Sequence, residues 1–203
     1  MAPYEVDTPH GPARVHVETV DGARAALVLG HGAGGGVDAP DLLAARDAAL
    51  EARIAVARVE QPYRVAGRRS SPRAPVLDAA WTAVVERLIA GELAGLPLVA
   101  GGRSAGARVA CRTAATTGAG AVLCLAFPLV PPQRGGKPPQ SRLAELDAVA
   151  VPVLVVQGER DRFGMPPPGA RREVAAVPGD HGLKKDVGAV RAAVRDWLAA
   201  VPR

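Results

Sequence analysis

The stretch that decides the fold runs from residue 96 to residue 110, Leu96-Pro97-Leu98-Val99-Ala100-Gly101-Gly102-Arg103-Ser104-Ala105-Gly106-Ala107-Arg108-Val109-Ala110. An apolar run, Leu96 to Ala100, reads as a buried strand, and the Ala-rich run from Gly106 to Thr116 reads as a helix. Between them lies G-x-S-x-G, with Ser104 at its centre. A serine there occupies a tight, strained turn, and glycines two residues away on each side let strand and helix approach without side-chain clashes. The turn pushes Ser104 out above the sheet edge, at a helix N-terminus where free N–H groups favour negative charge. A bland alternative is a turn with an N-capping serine; the position between a buried strand and a helix favours a nucleophile.

Outward from this turn, short apolar runs alternate with helical stretches. Strands are expected at Arg14 to Thr19, Ala25 to Leu29, Ile54 to Val59, Ala121 to Phe127, Val151 to Gln157 and Glu173 to Val177. Helices are expected at Asp41 to Arg53, Leu77 to Leu93 and Val187 to Ala200. Runs such as Leu27-Val28-Leu29 and Val153-Leu154-Val155-Val156 are apolar at every position, as in a parallel sheet covered on both faces. Arg14 to Thr19 alternates instead and reads as an antiparallel edge strand. The fold class is therefore α/β, with a mostly parallel, doubly wound sheet. At 203 residues, with no repeat and no dividing linker, the chain is expected to form one domain over 1–203. Gln61 to Pro75, Pro128 to Gln140 and Arg162 to Gly169 are the loops richest in Pro, Gly and Arg.

A second glycine cluster, Gly30-His31-Gly32-Ala33-Gly34-Gly35-Gly36, follows the strand Ala25 to Leu29. Such a loop brings a backbone N–H close to a substrate carbonyl, so the N–H groups of Ala33 and of Ala105 are the candidate oxyanion donors. A phosphate loop is the rival reading, but the G-x-G-x-x-G register and the Lys-Ser/Thr pair are both missing. In the proteins that this serine turn resembles, acid and histidine follow the serine in the chain in that order. Of four histidines only His181 lies beyond Ser104. Asp161, in Gly158-Glu159-Arg160-Asp161 after a strand, is the candidate acid; Glu159 and Asp180 are its rivals. His31 precedes the serine and fits a role in shaping its loop.

Taken together, Leu29 to Gly34, Gly101 to Ala110, Gln157 to Gly164, Gly179-Asp180-His181 and Gln61-Pro62-Tyr63-Arg64 with Gly67-Arg68-Arg69 resemble one group. It is the small α/β-hydrolase-like family that includes the testis-expressed hydrolase-like protein and a regulatory subunit of a chromatin acetyltransferase (NSL) complex. Dienelactone-hydrolase-like enzymes are the next nearest relatives. The resemblance implies an α/β-hydrolase fold and a Ser104–His181–Asp161 triad, but supplies no substrate, and some relatives are described as interaction subunits. One departure bears on the acid: Pro166-Pro167-Pro168 stands in a connection from Asp161 to Glu173 that is close to the shortest crossover between parallel strands.

These readings converge on a serine hydrolase that cleaves a small acyl ester or thioester through an acyl-enzyme on Ser104. A catalytically silent binding or interaction module of the same fold is the alternative. No insertion is long enough for a cap domain, and neither metal nor organic cofactor is implied. The formal charge is +5, nearly all from arginine, since lysine occurs only at Lys137, Lys184 and Lys185. Those arginines are scattered and not interleaved with aromatic residues, which argues against nucleic acid as a partner. Arg64, Arg68 and Arg69 fall in a loop at the catalytic sheet edge and are candidates for binding an anionic acyl substrate. Cys111 and Cys124 lack any metal or redox spacing and read as reduced packing residues. Neither a basic leader nor a membrane span is visible, so a cytoplasmic location is expected.

Overall fold

The computed structural model describes residues 2–131 and 140–200. The middle of the loop expected at Pro128 to Gln140 lies outside them. Eight strands, β1 (Tyr4–Val6), β2 (Ala13–Glu18), β3 (Ala25–Gly30), β4 (Ile54–Glu60), β5 (Leu98–Arg103), β6 (Ala121–Leu125), β7 (Val153–Gly158) and β8 (Arg172–Val177), form a sheet of order β1-β2-β4-β3-β5-β6-β7-β8. From β4 to β8 every neighbouring pair is parallel; β1 and β2 are antiparallel. This is the topology expected of an α/β-hydrolase fold, with no cap among the described residues. The expected edge strand is corrected: β2 is second from the edge, because the three-residue β1 pairs outside it in the register Tyr4↔Val15. The short β1 covers the open edge of an alternating strand.

Six helices, α1 (Pro40–Glu51), α2 (Pro62–Val65), α3 (Ala74–Ile89), α4 (Ala105–Thr117), α5 (Leu143–Asp147) and α6 (Val187–Ala200), complete the described elements. Alternate strand residues point to opposite faces, and each face has its own core. Ala26 and Val28 face α3 and α4, packing with Trp81, Val84, Val85, Leu88 and Val109. Leu27 and Leu29 face α1 and α6, packing with Leu42, Ala45, Val190, Val194 and Trp197. The buried set of α3, Leu77, Ala80, Trp81, Val84, Val85 and Leu88, follows the helical repeat.

Cys111 on α4 and Cys124 on β6 are both free and buried, with their sulfurs 3.4 Å apart. The contact with Cys111 and burial push the Cys124 thiol well above its ordinary range. No helix among the described residues is long and apolar enough to cross a membrane.

Strand order carries the functional consequence. The chain winds from β3 to β4 on one side and from β4 past β3 to β5 on the other, so the loops after β3 and β5 diverge at a topological switch point. In open α/β sheets, ligands bind in the crevice that such a divergence leaves beyond the strand ends.

Candidate active site

Ser104 stands at that crevice between β5 and α4, with φ 52° and ψ −104°. A non-glycine residue in this region stores roughly 1–3 kcal/mol of strain, held here by β-type anchoring: the Ser104 N–H donates to Leu125 O at 2.9 Å. The glycines on either side are required by close backbone approach. A Cβ on Gly102 would lie 2.6 Å from Gly30 O, and one on Gly106 would lie 2.3 Å from the same oxygen. Both glycines therefore admit the end of β3, and they bring the His31–Gly36 loop against the serine turn.

The Ser104 hydroxyl lies 3.0 Å from His181 Nε2, and His181 Nδ1 lies 2.8 Å from Asp161 Oδ2. Three residues expected together from sequence are thus in hydrogen-bonding line. The proline-rich crossover leaves Asp161 within reach of His181: the 159–171 connection contains no helix, and β8 enters the sheet parallel to β7 with Gly158 opposite Val177. Asp161 is buried, with Oδ1 accepting from the Phe163 N–H at 2.9 Å and Oδ2 accepting from Gln157 Nε2 at 2.8 Å. The rivals stand elsewhere. Asp180 accepts from the Gly182 N–H at 2.8 Å in an exposed turn, and Glu159 is exposed.

Several residues that shape the site were not singled out from sequence. Gln157 is fully buried at the end of β7, and its amide nitrogen also approaches Phe127 O at 3.0 Å and Gly164 O at 2.9 Å. Two hydrogens thus serve three oxygens and fix the orientation of the Asp161 carboxylate. The Phe163 ring meets the His181 ring at 4.4 Å between centroids with a 66° tilt. Arg103, one residue before the serine, donates through Nη2 to His181 O at 2.9 Å, and its Nε stands 2.9 Å from Asp41 Oδ2 in an ion pair that lacks hydrogen-bond alignment. Burial pushes the Asp41 carboxyl up, against the opposing pull of Arg103. The sequence did carry signals: one amide ending an otherwise apolar strand, and one arginine inside the glycine turn.

His31 has the loop-shaping position expected for it. It is buried, its Nδ1 lies 2.8 Å from Gly32 O, and its Nε2 accepts from the Gln61 N–H at 3.0 Å. Accepting at Nε2 leaves the proton on Nδ1, which donates to Gly32. Burial lowers the His31 pKa, keeping the ring neutral. The Tyr63 hydroxyl donates to Ala33 O at 3.0 Å, tying the same loop to α2. The N–H groups of Ala33 and Ala105 hydrogen-bond to nothing among the described residues, the latter because it opens α4. Of the three candidate arginines, Arg68 lines a cavity of about 510 Å³ beside α2, whereas Arg64 and Arg69 do not.

A family model for the alpha/beta hydrolase domain matches residues 23–185, which takes in every strand from β3 to β8, the serine turn, Asp161 and His181. The chain belongs to the alpha/beta hydrolase domain family. Among solved structures, the fold is similar to a serine hydrolase without lid from Xanthomonas campestris, at 22% identity and TM-score 0.72, covering 99% of this chain and 96% of that one. It is also similar to dienelactone hydrolase from Anabaena variabilis (15% identity, TM-score 0.78, 100% and 98% covered). A serine hydrolase homologue from Coxiella burnetii is comparable, at 15% identity and TM-score 0.77 with 97% of each chain covered. No curated protein sequence matches.

Proposed function

We propose that the chain is a serine hydrolase acting on small acyl esters or thioesters. The observation that carries this reading is the continuous line Ser104 Oγ, His181 Nε2, His181 Nδ1, Asp161 Oδ2, with contacts of 3.0 and 2.8 Å. His181 takes the hydroxyl proton as Ser104 attacks the carbonyl, and returns it to the leaving group. Asp161, accepting from Nδ1–H, holds the ring in the tautomer whose Nε2 lone pair faces the serine. The N–H groups of Ala33 and Ala105 take up the charge on the tetrahedral oxygen, each worth a few kcal/mol in the transition state. Water, activated by the same histidine, then releases the acyl group.

The lid-free Xanthomonas campestris neighbour and the capless sheet support small substrates over long lipids. The motifs around Ser104, Asp161 and His181 support reading the chain, within its family, as similar to the testis-expressed and NSL-complex group. A cytoplasmic location belongs to the same reading, with Cys111 and Cys124 reduced.

A fluorophosphonate probe tests it. Wild-type protein is expected to carry one adduct on Ser104, located by peptide mass spectrometry, and Ser104→Ala and His181→Ala to carry none. Folded wild-type protein without an adduct would overturn the hydrolase and leave a binding module.

A further inference from the structure

Of 15 residues between Gln61 and Pro75, four are arginine and none is acidic. Elsewhere several buried and half-buried arginines pair with carboxylates: Arg58 with Glu18 and Asp38, Arg108 with Glu145, Arg112 with Asp78. Arg64, Arg68, Arg69 and Arg73 pair with no carboxylate among the described residues. Uncompensated positive charge in one segment favours an anion from outside the chain.

That segment roofs a cavity of about 510 Å³, within the range of small-molecule sites. Its wall is apolar at Pro12, Pro62, Val65, Pro72, Val76 and Ala80. No carboxylate lines it. Three exposed polar residues, Arg68, His10 and Ser70, also line it.

Neither Ser104 nor His181 lines the cavity, but a short chain of contacts links it to the serine turn. Its wall residue Tyr63 donates to Ala33 O, and a Cβ on Gly32, the residue before Ala33, would lie 3.6 Å from Ser104 Cβ. Sheet order gives the span. The cavity sits over the ends of β4 and β2, two and three strands from β5, and strands are about 4.8 Å apart, so it lies roughly 10–15 Å from Ser104.

Resting on the hydrolase reading, we propose that this cavity binds the remote end of the substrate, an apolar chain ending in a carboxylate that meets Arg68. An extended chain spans about 1.2 Å per bond, from roughly 3.5 Å per three-bond residue. The scissile carbonyl and the carboxylate are therefore separated by about 8–12 bonds.

The test uses p-nitrophenyl half-esters of straight-chain dicarboxylic acids from four to fourteen carbons, each against the neutral methyl diester of equal length. The ratio of kcat/KM, acid over neutral, is expected to peak at about tenfold in the ten- to twelve-carbon range. Raising salt is expected to flatten the peak, because the guanidinium is exposed. Arg68→Ala is expected to bring the ratio near one, Arg68→Lys to keep most of it, and Arg68→Glu to invert it. A ratio independent of chain length, or unmoved by Arg68→Glu, overturns the proposal while leaving ester hydrolysis intact.

Calorimetry with Ser104→Ala protein and the free dodecanedioate separates the two readings. Binding there that Arg68→Glu abolishes, with no turnover of any ester by wild type, would sustain the cavity and sink the hydrolase. An alkyl monophosphate of the same length completes the comparison. Tighter binding of phosphate than of carboxylate overturns the carboxylate assignment.

Discussion

Arg103 Nη2 donates to the backbone carbonyl of His181 at 2.9 Å, so the residue before the candidate nucleophile holds the loop that carries the candidate base. The same guanidinium pairs with Asp41, fully buried in the first turn of α1. One side chain therefore joins the β5 turn, α1 and the β8–α6 loop. Arg103→Lys keeps a cation for Asp41 but loses the planar fork needed to reach the carbonyl as well. It is expected to lower kcat about tenfold with KM nearly unchanged, the pattern of a misplaced base. Arg103→Met is expected to be far less stable, since an uncompensated buried carboxylate costs about 3–5 kcal/mol. Unchanged kcat in Arg103→Lys, with the melting temperature retained, would remove Arg103 from the positioning machinery.

Tyr63 braces the loop through its hydroxyl on Ala33 O. Tyr63→Phe removes one hydrogen bond and little volume, so stability is expected to fall by only about 1 kcal/mol. A loop free to shift loses alignment of the Ala33 N–H, and kcat is expected to fall about tenfold or more. Steady-state kinetics beside a urea melt separates the two effects; a loss of stability with no loss of kcat would assign Tyr63 to packing alone.

Much of this arrangement was legible because it depends on chain order and on residues with few alternatives. Gly102 and Gly106 announce a turn because backbone stands where their side chains would be, and His181 is the lone histidine after Ser104. Less legible were contacts made between distant segments. Nothing local tells that Gln157 reaches Asp161 across the β7 turn, or that Arg103 meets both Asp41 and His181. Element ends also moved for physical reasons. β5 starts at Leu98, past Pro97, and runs to Arg103 because Gly101 and Gly102 stay in register with Leu123 and Cys124 of β6. The Gln61 to Pro75 loop hides a single turn, α2, started by Pro62 at its first position.

His31 gives the protein a pH dependence unconnected with turnover. Burial lowers its folded pKa below the ordinary 6.5. Between the lowered value and 6.5 the unfolded chain binds the proton and the folded chain does not, so stability is full above about 6.5 and falls as pH falls below it. Urea midpoints from pH 7.5 to 5.0 are expected to decline in wild type. In His31→Gln the decline is expected to be shallower, over a lower plateau. Equal slopes in both proteins would show that His31 contributes nothing to this window.

The last prediction concerns Asp161, whose two oxygens face different donors. Oδ1 accepts from the Phe163 N–H, and Oδ2 accepts from Gln157 Nε2 while facing His181 Nδ1. An asparagine cannot satisfy both sides. With its carbonyl toward Phe163, its NH2 meets Gln157 Nε2 and donates to His181 Nδ1, which moves the imidazole proton to Nε2 and removes the lone pair facing Ser104. With its carbonyl toward His181, its NH2 faces the Phe163 N–H, a half-buried donor left unpaired at about 1 kcal/mol. The first arrangement loses the base and the second loosens the turn that holds it. Asp161→Asn is therefore expected to lower turnover by up to roughly 10⁴-fold. A modest loss of stability is expected to accompany it, while Asp180→Asn and Glu159→Gln stay within a few-fold of wild type. Fluorophosphonate labelling rates at Ser104 provide a readout independent of any substrate. Should Asp180→Asn slow labelling severely and Asp161→Asn leave it unchanged, the histidine takes its tautomer from the exposed turn and not from the buried carboxylate.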